Sequence, residues 1–556
     1  MRRLCIAVVL LFAACREAPP LPARGAPLAP AVTALEPAAA AAQPEKAPPA
    51  RAPADRLTLL FSASVAGQLV PCGCSPDQRG GLPRAVSYAR KLRSETPNLL
   101  VLDAGDLLFD GAQSPPAQLL TQKKLKAQAL AAGDELIGVA ARALGPRDLT
   151  LGAQFAGETA GKIPLLDSGL APLPAARATL LLDAGAVKVG VLAASSAESL
   201  TARAAALRQQ GAQLVVALLQ PTGDNAFAAA QQLLAKSQGV DLAVLGHRDD
   251  PATDVDRKDT GTPPLLAVEG HGQSLLRVDI QLGQGPLRIL PGPEERKGEL
   301  DALQARIDRF KSQLADAPAR AAQLQPKIAE LEQRKAALAA APPETAPAGA
   351  MVATPVFVPL TKEVGEDAPA QKLVDAYDAR VTELNLAEAK TQPEACPPAS
   401  PGEASFVGAA RCAECHAEAA QFWTQTGHSN AYETLVKVNK QFSLDCVRCH
   451  VTGWQQPGGV CRIDKAASGG PGFQGRGVGR RDVQCEDCHG PGSEHSRLGT
   501  GGGIRDKVPA SWCMRCHEAA NSPHFDDAKY RPWITGPGHG MPLAKGEKPH
   551  PKGLTP

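Results

Sequence analysis

The pentad Cys-x-x-Cys-His occurs four times in the last third of this 556-residue chain: Cys412-Ala413-Glu414-Cys415-His416, Cys446-Val447-Arg448-Cys449-His450, Cys485-Glu486-Asp487-Cys488-His489 and Cys513-Met514-Arg515-Cys516-His517. At the chain's own cysteine and histidine content, one such pentad arises by chance at roughly one position in a hundred thousand. Structural zinc also uses paired Cys-x-x-Cys units, but it does not require a histidine directly after each pair. The pentads therefore predict covalent haem, with two thiols closing thioether bonds to the vinyls and the adjacent imidazole taking the proximal iron position. On this reading Cys412, Cys415, Cys446, Cys449, Cys485, Cys488, Cys513 and Cys516 attach four haem c groups, and His416, His450, His489 and His517 bind the irons. A segment with about one macrocycle per thirty to forty residues must use the haems as much of its apolar core and hold them in near contact.

Histidines outside the pentads are the candidates for the sixth ligand. His428, His495, His524 and His539 are expected in that role, His428 on a helix after the first pentad and His495 in a Gly/Pro-rich turn after the third. His550 is set aside because it lies in a Pro/Gly-rich tail. Methionine would raise the potential, and Met541 is the one candidate outside a pentad. Bis-histidine, low-potential haems are expected to dominate.

The N-terminus has two arginines (Arg2, Arg3), an apolar run from Leu4 to Ala14 and small residues before Cys15. This predicts a secretory signal over residues 1–14, too short to span a bilayer as a helix. Leu11-Phe12-Ala13-Ala14-Cys15 resembles the bacterial lipoprotein cleavage box, which implies a lipidated Cys15 and a membrane anchor, with the outer membrane favoured. The alternative is an ordinary signal peptide with Cys15 left as a free thiol. Export agrees with haem attachment, which takes place outside the cytoplasm, so the expected compartment is the periplasm and the expected partners are redox proteins there. In that oxidising setting Cys396 and Cys461 are expected to form a disulfide. Residues 15–54 are mostly Pro and Ala and predict an extended tether. The formal net charge of +2 gives no basic footprint for nucleic acid.

Residues 55–295 alternate short apolar runs with helical patterns. The runs are Leu57 to Phe61, Leu99 to Asp103, Leu180 to Asp183, Val187 to Ala193, Leu214 to Leu219 and Leu242 to Leu245, with a helix expected over Gln122 to Leu144. The alternation predicts an α/β domain. Its strand ends, at Ser62-Ala63-Ser64-Val65-Ala66-Gly67, Asp103-Ala104-Gly105-Asp106, Gly145-Pro146-Arg147-Asp148 and Gly246-His247-Arg248-Asp249, resemble the metal motifs of the calcineurin-like metallophosphoesterase and 5'-nucleotidase superfamily. The resemblance implies a β-sandwich flanked by helices. It also marks losses: Ser64 and Ala66 stand at that superfamily's Asp-x-His, Pro146 and Arg147 at its Asn-His, and Gln220 at its lone His. Asp106 and His247 remain, and Asp249 replaces the second His of the last motif. Alanine and proline carry no side-chain donor atom, so two-metal hydrolysis is not expected. Asp106 and His247 are read as holding loops by hydrogen bonds rather than as a residual metal site. Cys72 and Cys74, one residue apart, leave three readings open: a soft-metal clamp, redox exchange, or disulfides with other partners.

Between Leu300 and Leu338 apolar residues recur at three- and four-residue steps on either side of Pro318, predicting an antiparallel helical hairpin over 296–341 that packs on a domain. A strand and docking helix follow over 350–390, and the haem domain, mainly α-helical and irregular, is placed at 404–545. That domain resembles the tetrahaem cytochrome c family typified by the electron carrier of ammonia oxidisers, through Phe406-Val407-Gly408, Thr426-Gly427-His428, Cys449-His450-Val451-Thr452-Gly453 and Cys488-His489-Gly490-Pro491-Gly492-Ser493-Glu494-His495. The sequence thus describes an electron carrier joined to an inactive scaffold. Its rivals are a haem enzyme with one open iron and a metal-dependent phosphohydrolase.

Overall fold

In the computed structural model the described residues are 55–71, 78–221, 223, 225–248, 254–256, 262–316, 318–342, 344–499, 503–518, 521–522 and 525–539. The signal, the tether with Cys15, Cys72, Cys74, Asp249, His524, Met541 and His550 lie outside them. Among the described residues no helix is long and apolar enough to cross a membrane.

Thirteen strands are described: β1 (Arg56–Ser62), β2 (Leu99–Asp103), β3 (Ala141–Ala143), β4 (Leu165–Leu166), β5 (Thr179–Ala184), β6 (Val187–Ala193), β7 (Leu214–Leu219), β8 (Leu242–Leu245), β9 (Asp254–Asp256), β10 (Leu265–Ala267), β11 (Ser274–Gln281), β12 (Gln284–Ile289) and β13 (Ala350–Pro359). They form two mixed sheets, ordered β12-β13-β11-β1-β2-β3-β4 and β5-β6-β7-β8-β10-β9. The period-2 alternation of a strand explains the layering. Leu59 and Phe61 of β1 point between the sheets, where they join Val189, Val191, Val216 and Val244. Leu60 points the other way, into a second core beneath α1 (Leu82–Glu95), α2 (Ala117–Ile137) and, from further along the chain, Leu373 and Val381. Because both faces are covered, β1, β2, β7 and β8 are near-continuous apolar runs, which is why sequence alone located them.

A short helix, α3 (Gly152–Thr159), follows β3. Helices α4 (Ala197–Gln209) and α5 (Ala226–Ala235) cover the outer face of the second sheet through Leu200, Leu207 and Leu234. One expectation is corrected here. The helix expected to run to Leu144 stops at Ile137, because Gly138 takes a left-handed conformation (φ 80°), and residues 141–143 become β3.

The hairpin is α6 (Pro293–Asp316) and α7 (Ala321–Ala340), whose seam is Leu303, Ile307, Ile328 and Leu331. It leaves the first sheet after β12, and the chain returns as β13, which inserts parallel to β12 and antiparallel to β11. The spacer therefore links two neighbouring strands of one sheet. Helix α8 (Ala368–Ala389) then docks beside α1 and α2, burying Leu373, Val374, Tyr377 and Val381.

Beyond it, the haem segment consists of short helices: α9 (Ala409–Ala413), α10 (Ala417–Trp423), α11 (Ala431–Lys437), α12 (Leu444–His450), α13 (Cys485–His489), α14 (Ser493–Leu498), α15 (Ala510–Cys513) and α16 (Asp527–Tyr530). Its own apolar cluster is small, with Tyr432, Val447, Val451, Val460 and Ile463 at its centre. The Cys396–Cys461 disulfide ties the linker to this cluster's edge.

Candidate functional site

The first pentad is held in place by the third. Glu486, one of the two variable residues inside the third pentad, is buried and accepts hydrogen bonds from the backbone N–H groups of Val407 (2.9 Å), Gly408 (2.7 Å) and Gly492 (2.8 Å). Gln484 Oε1 accepts from Ala409 N at 2.7 Å. These acceptors satisfy the free N–H groups at the start of α9, where they are worth most. Gly408 sits at φ 90°, a conformation that disfavours a side chain. The first pentad is thus tied to the third, and the Arg448–Glu518 pair at 2.8 Å ties the second to the fourth. The second pentad is laced to the third as well: Thr452 donates to Asp487 Oδ2 at 2.6 Å, and burial pushes the Asp487 carboxyl up to about 7. Gly453 lets the Phe406 ring lie against its backbone, 2.8 Å from where a Cβ would stand.

Three imidazole pairs face one another. His416 and His495 have ring centroids 6.1 Å apart with 21° between planes, His489 and His539 6.2 Å apart with 22°, and His428 and His517 6.2 Å apart with 38°. A metal–nitrogen bond of about 2 Å and about 1 Å from that nitrogen to the ring centre, taken twice, give about 6 Å. Each pair is therefore spaced to share one iron, and the residues fit the haem the pentads call for. Hydrogen bonds orient the proximal rings. His450 Nδ1 donates to Ala431 O at 2.6 Å and His489 Nδ1 to Arg505 O at 2.7 Å. A carbonyl can only accept, so the proton resides on Nδ1 and Nε2 keeps its lone pair for a metal. His517 Nδ1 lies 3.2 Å from Ser522 Oγ, and the Phe525 ring stacks on its face at 4.2 Å. Burial, then the neighbouring His517 and His450, push His428 down to about 4, keeping it neutral and able to ligate.

The structure assigns partners that spacing along the chain did not. His495 faces the first pentad's histidine, His539 the third's and His428 the fourth's. It also changes two local descriptions: His428 is on a 3₁₀ turn (Gly427–Asn430) rather than an α-helix, and His495 is on α14 rather than in a turn. No second imidazole is stacked opposite His450 among the described residues, and His524 lies outside them.

At the strand ends of the α/β domain, Asp106 is fully buried and accepts hydrogen bonds from His247 Nδ1 and, at 2.9 Å, from Arg147 N. The Arg147 guanidinium lies 3.8 Å from the same carboxylate. A permanent side-chain cation thus stands beside this buried acid. Ser64 (φ 48°), Ala66 (φ 52°), Asp106 (φ 58°) and His271 (φ 62°) all take left-handed backbone, at a cost of about 1–2 kcal/mol each. Asp148 supports them, its carboxylate accepting from the N–H groups of Asp106, Leu107, Leu108 and Gly145. Burial and then the Asp106 charge raise Asp148 to about 6. Among the described residues no cluster of three or more His, Cys, Asp or Glu side chains is placed to hold a metal ion. Sequence reasoning missed His271, whose only signal is a histidine in a Gly-His-Gly turn, and the support from Asp148.

The haem segment meets the α/β domain through the residues just before the second pentad. Gln122 of α2 donates to Ser443 Oγ (3.2 Å) and accepts from Leu444 N (3.1 Å) and from Asn385 of α8 (3.0 Å). Asp445 pairs with Lys126 and, at 3.1 Å, with Lys123.

Residues 411–490 match the family model described as Cytochrome c554 and c-prime. A curated relative, Cytochrome c-554 from Nitrosomonas europaea, is 36% identical over 105 residues, which is 16% of this chain and 40% of that protein; the chain thus spans less than half of that relative's length. Among solved structures, a 5'-nucleotidase precursor from Thermus thermophilus aligns with 62% of this chain and 61% of its own at 16% identity and a TM-score of 0.39. The NAD nucleotidase of Haemophilus influenzae aligns with 64% of each chain at 14% identity and 0.38. A calcineurin-like phosphoesterase, YfkN from Bacillus subtilis, aligns with 58% of this chain and 97% of its own at 14% identity and 0.36. The chain therefore joins a segment similar to cytochrome c554 to an α/β domain of two mixed sheets.

Proposed function

We propose that this chain is a periplasmic, lipid-anchored c-type cytochrome that carries electrons through four covalent haems, and that its α/β domain is a scaffold without hydrolase activity. The observation that carries the reading is the set of three imidazole pairs, each spaced for one iron, in a segment whose pentads are tied in twos, the first to the third through Glu486 and Gln484 and the second to the fourth through Arg448 and Glu518. Bound there, haem supplies a one-electron couple. The protein's part is to hold both axial imidazoles, keep them neutral, orient them through Nδ1 and keep the groups close enough for transfer without moving parts. The N-terminal pattern ending in Cys15 supports export and anchoring, and redox proteins of the same compartment are the expected partners. The loss of metal ligands at Ser64, Ala66, Pro146 and Arg147 supports the scaffold role. The test is a haem count on purified protein by the pyridine haemochrome spectrum, with denatured chains run on a haem-stained gel. Four haems per chain that survive denaturation are expected, and haem lost on denaturation, or zinc in its place, defeats the reading.

A second reading, redox catalysis on a small nitrogen or oxygen species at the second haem, is favoured by the unpaired His450 ring among the described residues. Rapid carbon monoxide binding by the reduced wild type, with a high-spin signal from about one haem in four, would put this reading ahead.

A further inference from the structure

The α/β domain delivers charge as well as support to the second pentad. Asp445 precedes Cys446 directly, and its carboxylate is clamped by two lysines of another domain, Lys123 at 3.1 Å and Lys126, both on α2. Lys123 also holds Asp110 at 2.6 Å, on the loop that leads away from Asp106. On the other side Lys440 binds Asp378 of α8 at 2.6 Å and lies 6.0 Å from the centre of the Tyr377 ring. Three ammonium groups thus face three carboxylates around the entry to α12. Arg448, within the pentad, is paired with Glu518 at 2.8 Å. Asp445 keeps its charge here: burial works to raise its carboxyl, and the Lys126 and Lys123 ammoniums outweigh burial and hold it well below the usual range.

Charges buried in a low-dielectric interior act on one another far more strongly than exposed ones, and the charge state of an iron changes by one on reduction. A net positive excess beside a haem favours the reduced form, and a net negative excess favours the oxidised form. We propose that Lys123 and Lys126 of the α/β domain, balanced by Asp445, set the reduction potential of the haem attached at Cys446 and Cys449, so that the scaffold domain tunes one member of the electron-transfer chain. This rests on the cytochrome reading above and gives the fused domain a redox role that needs no chemistry of its own.

The residues act through the haem they adjoin and are positioning residues, so the test reads a potential. The full-length protein is titrated optically against redox mediators, and the haem attached at Cys446 and Cys449 is identified by its hyperfine-shifted methyl resonances. Asp445→Asn leaves two ammoniums facing a neutral amide and should shift that haem's wave upward. Lys126→Met leaves the carboxylate in excess and should shift it downward. The double variant, neutral again, should return close to wild type, with the other three waves unmoved throughout. A purely structural role would disturb the wave in the same direction in both single variants, so opposite signs are the signature. Should Asp445→Asn fail to load haem, Asp110→Asn, which frees the Lys123 ammonium, answers in its place with an upward shift. Haem-loaded variants whose wave does not move, or moves the same way in both, overturn the proposal and leave the cytochrome reading intact. Absence of covalent haem from the wild type removes both.

Discussion

Single side chains decide whether each iron is closed. His495 lies opposite His416 at 6.1 Å, so His495→Ala should open one position, convert about one haem in four from low to high spin and create carbon monoxide binding in the reduced protein, as read by electron paramagnetic resonance and optical spectra. Glu486 shows a different kind of dependence. Its carboxylate serves three backbone donors inside the fold, and Glu486→Gln, which keeps the size and removes the charge, should cost about 2 kcal/mol in thermal or denaturant unfolding, because hydrogen bonds to a charged group are worth about 1.5–3 kcal/mol. The two residues were unequally legible. The iron-facing histidines announce themselves by chemistry, since few other roles suit a histidine in a haem segment. Glu486 occupies a position that the pentad leaves open to any residue, and only the approach of the Phe406-Val407-Gly408 loop, some eighty residues upstream, gives it a task.

At the scale of elements, the contact of α2 and α8 with the start of α12 joins the two halves of the molecule. Gln122→Ala removes the acceptor for Leu444 N and Asn385 and the donor to Ser443, leaving partly buried groups unsatisfied, and should lower stability by about 1–3 kcal/mol. Acid should weaken the same contact. The folded Asp445 carboxyl is depressed below its unfolded value near 3.9, so its stabilising contribution is complete above that pH and is lost as pH falls through the lower, folded value. Unfolding midpoints of wild type and Asp445→Asn should therefore differ at neutral pH and draw together progressively as pH falls below about 3.9; a gap independent of pH would contradict this account. Strands and helices of the α/β domain could be read from sequence because burial on both faces leaves an apolar record along each strand. The contact could not, because the lysines of α2 and the aspartate that opens α12 look like solvent-facing residues until a second surface covers them.

At the scale of the whole molecule, the α/β domain holds left-handed backbone at Ser64, Ala66, Asp106 and His271, while Arg147 supplies a fixed positive charge beside Asp106. Full-length protein should show no phosphatase or nucleotidase turnover with added manganese, zinc or calcium, and turnover that vanishes in Asp106→Asn would contradict the scaffold reading. The α/β alternation, the hairpin and the helical haem segment follow from sequence patterning and the pairing of two sheets only from the resemblance, whereas the return of the chain as β13 follows from neither, because a strand's neighbours depend on partners far along the chain. That return has a temporal consequence. β13 lies between β12 and β11, and β11 in turn pairs with β1 across more than two hundred residues, so the first sheet cannot close until nearly the whole α/β sequence has been made. Non-local closure of this kind is slow. The seat for the second pentad, on α2 and α8, is therefore complete only once the chain has been made through residue 389, and Cys446 is the first pentad cysteine to meet that finished surface.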